Sequence, residues 1–284
     1  MSIDKTALII EGGGTRGVFS FGVIDTFIKE QFDPFKIYIG VSNGAAALNW
    51  YLIKEKDYNL EKMLYSANKK YINYFNFFLG KSVIDFERMY EDGRKLFKPD
   101  PYIIKKRLQS KELYLAATEA ISAKVEYLKF NSELWFDQMI ASGTLPLIVK
   151  KPTIINNYRY FDGGITDPIP VRKAYSLGAK KIIIIRTYDK HFIRTNKIEN
   201  YVAALFMSKY PNLSKALLRH SKTYNDCLDF IKNPPADCQI VQICPPIRLK
   251  VKRDTIDHNL LKEGYQIGVR SAEEFLRLNS NLFD

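Results

Sequence analysis

The sequence predicts an α/β fold on a mainly parallel sheet, and three observations carry that prediction. First, Ala7-Leu8-Ile9-Ile10, a glycine loop, an amphipathic stretch and Ile37-Tyr38-Ile39-Gly40-Val41 follow one another as strand, turn, helix and strand. Second, the all-branched run Ile182-Ile183-Ile184-Ile185 suits a parallel strand buried on both faces. Third, 284 residues with 46% hydrophobic and 26% charged residues are enough to bury one sizeable core.

Taken in order, the first strand ends in Glu11 and the loop Gly12-Gly13-Gly14-Thr15-Arg16-Gly17. Phe21, Ile24, Phe27 and Ile28 then share one helical face, and Asp33-Pro34 stops that helix. The second strand delivers Ser42 between Gly40 and Gly44, and the small residues Ala45-Ala46-Ala47 open the next helix. Both turns follow strand C-termini and so emerge on one edge of the sheet.

From about Tyr51 to Tyr102 the chain is rich in aromatics and lysines. This stretch reads either as helices packed over the sheet with snorkelling lysines or as the wall of an acyl-chain site. Within it, Asp100-Pro101 is an N-cap followed by proline at the first helical position. Leu113–Ala117 and Val125–Phe130 read as strands, and Asn131 or Ser132 caps a helix that carries Trp135 and Met139 to Ala141-Ser142-Gly143-Thr144-Leu145-Pro146. Thr153–Phe161 is a strand, or a hairpin around Asn156-Asn157, that reaches Asp162-Gly163-Gly164. A short helix over Val171–Leu177 precedes the Lys181–Ile185 strand. Beyond it, Tyr201–Met207, Leu213–Ile231 and His258–Leu276 read as helices and Gln239–Ile243 as a last strand. Ile247-Arg248-Leu249-Lys250-Val251-Lys252 alternates apolar and basic residues. It is either a solvated edge strand or a strip that meets lipid headgroups.

The glycine loop admits three readings. As G-x-G-x-x-G it is a dinucleotide fingerprint, giving a nucleotide-binding protein that holds phosphate on Gly12–Gly17. That reading wants an acidic residue at the end of the second strand, where Gly40-Val41-Ser42 stands instead. As an oxyanion hole, Gly12, Gly13 and Gly14 offer backbone N–H groups beside a helix N-terminus. The third reading is a tight turn without a ligand.

Gly40-Val41-Ser42-Asn43-Gly44 matches the G-x-S-x-G elbow that presents a nucleophilic serine. A serine needs a base within hydrogen-bond reach. The order Ser42, Asp162, His258 would suit an α/β-hydrolase triad, but that fold places several strands before its elbow and here only two precede Ser42. Asp162 is the stronger candidate base, since its two following glycines allow close backbone approach.

A strand followed by Gly-Gly-Gly-x-Arg-Gly, then Gly-Val-Ser-Asn-Gly, an Ala-Ser-x-x-x-Pro helix end and Asp-Gly-Gly resembles, in this order, the patatin-like phospholipase family over about residues 7 to 187. The resemblance implies a three-layer α/β/α sandwich with a mainly parallel central sheet. It implies serine lipid acyl hydrolase activity of the phospholipase A or lysophospholipase kind, without metal or cofactor. It also implies a dyad, with Ser42 as nucleophile and Asp162 as general base, and an oxyanion hole at Gly12, Gly13 and Gly14. Arg16, Gly17, Gly40, Gly44, Gly163 and Gly164 are the supporting motif positions. On this reading, residues 5–187 form the catalytic domain, and 188–284 form a mostly helical C-terminal extension packed on it.

The charge balance of 43 basic against 31 acidic residues, net +12, favours approach to anionic surfaces. With no nucleic-acid-binding module in the chain, the expected partners are a phospholipid or other lipid ester and an anionic membrane surface. Three cysteines without paired spacing suggest neither a disulfide framework nor a zinc site. No run approaches the roughly 18 apolar residues of a membrane span, and the N-terminus carries no basic, apolar leader. The expected location is cytoplasmic, with peripheral contact at the inner membrane face.

Overall fold

The structure, a computed structural model, describes residues 5–54, 59–79, 81–146, 148–149, 151–195 and 198–279. The chain begins with β1 (Lys5–Ile10), α1 (Val18–Lys29), β2 (Ile37–Val41) and α2 (Asn43–Ile53). A helical insertion follows: α3 (Asn59–Ser66), α4 (Phe75–Phe78), α5 (Phe86–Phe97) and α6 (Pro101–Arg107). Next come β3 (Glu112–Glu119), β4 (Val125–Lys129), α7 (Trp135–Gly143), β5 (Thr153–Ile155), β6 (Tyr158–Asp162), α8 (Val171–Ser176) and β7 (Ala179–Ile185). The mostly helical C-terminal part holds α9 (Ile198–Phe206), α10 (Pro211–Lys232), β8 (Gln239–Ile243) and α11 (His258–Leu278).

The central sheet runs β5-β6-β3-β2-β1-β7-β8, with β4 also on β3. Its core strands β3, β2, β1, β7 and β8 are parallel. The period of two sorts their side chains into two layers. Leu8, Ile10, Tyr38, Ile183 and Ile185 meet α1, α2 and α11 on one face, while Ala7, Ile9, Ile39, Ile182 and Ile184 meet α8 and α10 on the other. This is the expected three-layer α/β/α sandwich, and the Ile182–Ile185 run is buried on both sides because each face is covered. The chain beyond Thr187 contributes to this core directly. β8 extends the sheet and α11 packs against α1 so closely that a Cβ on Gly268 would stand 2.1 Å from the Phe19 carbonyl oxygen.

The junction that brings the site together lies along one edge of β3. That edge pairs parallel with β2 from Glu112 to Ala116, where Val41 faces Ala116. At Ala117 the antiparallel β6 takes over, with Asp162 opposite Ala117; β4 occupies the other edge throughout. β2 therefore stops and β6 begins at adjacent positions, which sets Ser42 and Asp162 side by side. A two-residue hairpin at Asn156 and Asn157, both with positive φ (49° and 68°), fixes the register of β6.

One expectation needs correction. Residues 247–252 are not an edge strand but an irregular strap with bends at Ile247 and Lys250. The alternation survives nonetheless: Leu249 and Val251 are buried in the α1/α11 layer while Arg248, Lys250 and Lys252 are exposed.

Candidate active site

Ser42 sits on a sharp strand-to-helix turn with φ 55° and ψ −126°, backbone angles that a non-glycine residue adopts only where the surroundings enforce them. Its neighbours explain how. A Cβ on Gly44 would lie 2.2 Å from the Ile10 carbonyl oxygen, and one on Gly40 would lie 2.8 Å from the Ala45 Cα, so only glycine lets the first turn of α2 press onto β1 and β2. The Ser42 N–H donates to Ser142 Oγ (2.9 Å), and the Ser142 hydroxyl donates to the Ala116 carbonyl (2.7 Å). The serine at the end of α7 thus ties the strained turn to β3.

Asp162 is buried, and its backbone is held on both sides. Its N–H donates to the Thr144 carbonyl (2.8 Å), and its carbonyl accepts from the Thr118 hydroxyl (2.8 Å). The carboxylate accepts from the Gly164 N–H (2.7 Å) and lies near enough to the Ser42 hydroxyl to feel it. Burial raises its pKa from the ordinary 3.8 to about 6, while the nearby Ser42 hydroxyl, the Gly164 N–H and the positive charge of Arg253 restrain the rise. Gly163 lies against the Ala116 carbonyl, where a Cβ would stand only 2.2 Å away.

The glycine loop borders the same point. A Cβ on Gly12 would be 2.7 Å from Ser42 Cβ and 3.5 Å from Ser42 Oγ, which places this backbone directly beside the hydroxyl. The N–H groups of Gly12, Gly13 and Gly14 donate to no acceptor among the described residues, and of the three glycines Gly12 is the one packed against Ser42. Gly14, with φ 57°, lies against the Arg253 carbonyl, which accepts from the Thr15 N–H (2.8 Å). Gly17 makes room for the Asn43 side chain. The Arg16 guanidinium stacks 4.1 Å over the Tyr188 ring, beside the loop.

Beneath the loop lies a buried polar network that the sequence alone did not single out. Glu11 accepts from the Thr187 N–H (2.7 Å) and the Tyr224 hydroxyl (2.7 Å), and the Thr187 hydroxyl donates to the Gly12 carbonyl (3.1 Å). Arg186 donates to Tyr224 (3.2 Å) and Gln242 (2.8 Å). Burial, then the Glu11 charge, push the Tyr224 phenol far up, so it remains a donor. Polar groups interleaved with branched residues at strand ends leave no periodic signal; only the buried setting reveals the network.

Ser42 opens on a cavity of about 890 Å³, within the range of a small-molecule site. Its deep walls are apolar and come largely from the insertion and α7, with Trp50, Met63, Tyr90, Phe97, Phe136 and Met139. Its rim is basic: Arg16, Arg248, Lys250, Lys252 and Arg253 line it. Within the aromatic-rich stretch, Tyr51 is core while Tyr90 and Phe97 line the cavity. His258 is exposed at the start of α11, and no histidine lines the cavity among the described residues. The structure therefore does not assemble the triad order Ser42, Asp162, His258. The three cysteines are free.

A parallel α/β/α sandwich with a serine elbow after its second strand and an apolar cavity above it defines a class of α/β proteins suited to hydrolysis of apolar esters. The comparisons narrow the class. A family model described as patatin-like phospholipase matches residues 8–175, and the chain belongs to that family of lipid-ester hydrolases. A second model, a domain of unknown function (DUF6363), matches residues 210–283. The chain is 28% identical to the uncharacterized protein YjjU of Escherichia coli strain K12 over 278 residues, 96% of this chain and 77% of that protein. It is also similar to VipD from Legionella pneumophila, whose crystal structure aligns with a TM-score of 0.43 at 12% identity, covering 96% of this chain and 67% of that one. No helix among the described residues is long and apolar enough to cross a membrane.

Proposed function

We propose that this protein is a serine lipid acyl hydrolase that cleaves carboxylic esters of phospholipids through a Ser42–Asp162 dyad. The observation that carries the reading is the Ser42 hydroxyl set beside the buried Asp162 carboxylate, where β2 hands over to β6 on β3, at an apolar cavity. Ionised Asp162 accepts the Ser42 proton as Ser42 Oγ attacks the ester carbonyl. The free N–H groups of Gly12, Gly13 and Gly14 hold the oxyanion, where a single donor is worth about 3–4 kcal/mol. The proton passes to the departing alcohol or lyso-lipid oxygen as the acyl–oxygen bond breaks. Water, deprotonated by Asp162, then attacks the acyl-enzyme and releases the fatty acid and free Ser42. A pKa near 6 suits this role better than the ordinary carboxylate value, because it brings the base closer to neutrality while leaving it mostly ionised there.

The cavity's apolar depth suits an acyl chain and its basic rim suits a phosphate-bearing headgroup, which together favour phospholipid at an anionic membrane surface. Nothing at the end of β2 takes the place of the ribose-binding acid that a dinucleotide reading requires. The test is Ser42→Ala. The expected outcome is a folded protein that no longer reacts with a fluorophosphonate probe and whose fatty-acid release from mixed phospholipids falls on the order of 10³-fold or more. Undiminished release overturns the assignment.

A further inference from the structure

The outer face of α9 carries an apolar stripe that no described residue covers. Ile198, Tyr201, Val202 and Leu205 follow the helical spacing of a buried face, yet they are 78%, 49%, 37% and 76% exposed, whereas Ala203 and Ala204 face inward. The helix itself borders the cavity, since Glu199, Asn200 and Ala203 line it, and the stripe occupies its outward face. Two other segments complete the rim. Tyr74, just before α4, donates to Asp254 (2.5 Å) and feels the charges of Arg253 and Glu199, so the three segments converge. Phe75, which follows Tyr74, is 65% exposed, and Ile247 at the head of the basic strap is 70% exposed. Exposed apolar side chains on the segments that border the cavity, with Arg248, Lys252 and Lys250 (3.8 Å from Glu263) exposed as well, make an amphipathic cationic surface.

We infer that this rim is a membrane-docking surface, in which the α9 stripe, Phe75 and Ile247 seat in an anionic phospholipid bilayer while the strap cations pair with its headgroups. Charge complementarity selects the occupant. A protein partner would need only the apolar stripe, whereas the exposed Arg248 and Lys252, with Lys250 shared with Glu263, match lipid phosphates. Docking of this kind would set the cavity mouth against the bilayer, so that a lipid can enter without crossing water. The inference rests on the lipid hydrolase reading for its purpose but not for its evidence, and the two are tested by separate readouts.

The test uses the full chain and the double variant Ile198→Glu/Leu205→Glu, two exposed positions outside the cavity lining. Co-sedimentation is measured with phosphatidylcholine vesicles containing about 30% phosphatidylglycerol and with pure phosphatidylcholine vesicles. The expected result is binding of the parent to the anionic vesicles that weakens about tenfold or more in the double variant, on pure phosphatidylcholine, and in about 0.5 M salt. Hydrolysis of a water-soluble short-chain ester stays within about twofold of the parent. Equal binding by parent and variant, or no binding by either, overturns the inference. So does a parent that self-associates through the stripe, seen as a change in oligomeric state on gel filtration of the variant without any vesicle binding. Ser42→Ala protein is expected to bind vesicles as the parent does. Vesicle binding without ester hydrolysis therefore defeats only the hydrolase reading, and hydrolysis without vesicle binding defeats only the docking surface.

Discussion

Replacing Asp162 by Asn tests the dyad through two quantities that must move in opposite directions. In the folded protein burial raises the Asp162 pKa from 3.8 to about 6. Between those values the native state binds more protons than the unfolded chain, so this carboxyl's contribution to stability is fully present below pH 4 and is lost as pH rises through 6. The difference corresponds to about 3 kcal/mol at pH 8. Asparagine keeps an acceptor for the Gly164 N–H but carries no charge. Asp162→Asn is therefore expected to be more stable than the parent by up to about 3 kcal/mol at pH 8, a rise of about 5–10 °C in Tm for a chain of this size. That gain fades towards zero at pH 4. Activity moves the other way: kcat/KM of the parent rises with pH through about 6, as the base ionises, and the variant loses about 10²-fold or more across the whole range. Thermal melts at pH 4, 6 and 8 beside a pH–rate profile measure both. A Tm difference that is the same at every pH, or a variant with an undiminished rate, refutes the reasoning.

Two further substitutions probe the supports of the site. Ser142→Ala removes the bridge between the Ser42 N–H and the Ala116 carbonyl; it should cost about 1–3 kcal/mol in urea unfolding and lower kcat about tenfold or more with KM little changed. In the helix layer, Gly268→Ala drives a Cβ to 2.1 Å from the Phe19 carbonyl oxygen and should destabilise by about 1–3 kcal/mol or more. Gly93→Ala within α5, where the added Cβ meets nothing closer than 3.7 Å, should instead stabilise by about 0.5–1 kcal/mol; equal effects at the two glycines would contradict the packing described.

Most of the sheet was legible because its signals are local. The β1–α1–β2 unit, the branched β7 and the Asn156-Asn157 hairpin each declare themselves within a few residues. The proximity of Ser42 and Asp162 is a different matter, since it depends on β6 pairing antiparallel with the same edge of β3 that β2 has just left. No local pattern encodes which edge a strand takes. Ser142 stood in a recognisable motif, but its task, to accept a hydrogen bond from an amide 100 residues away, is visible only in three dimensions. Glu11 was read simply as a strand end because its partners Thr187 and Tyr224 come from β7's exit and α10. The periodicity of α9 announced a helix correctly, yet periodicity cannot say whether the apolar side faces the protein or its surroundings. The strap kept its alternation over Leu249 and Val251 and lost its strand, because burying those two side chains does not require a ladder of hydrogen bonds.

The handover from β2 to β6 on β3 makes activity a reporter of correct folding. A strand that slips by one residue turns every side chain to the opposite face of its sheet, so a β6 misregistered by one position at the Asn156-Asn157 turn would present Phe161 or Gly163 where the carboxylate belongs. Such a species could keep its helices, most of its sheet and an ordinary spectrum, and still leave Ser42 without a proton acceptor. In a refolding experiment, return of esterase activity should therefore trail return of secondary structure by the time that this hairpin takes to find its register.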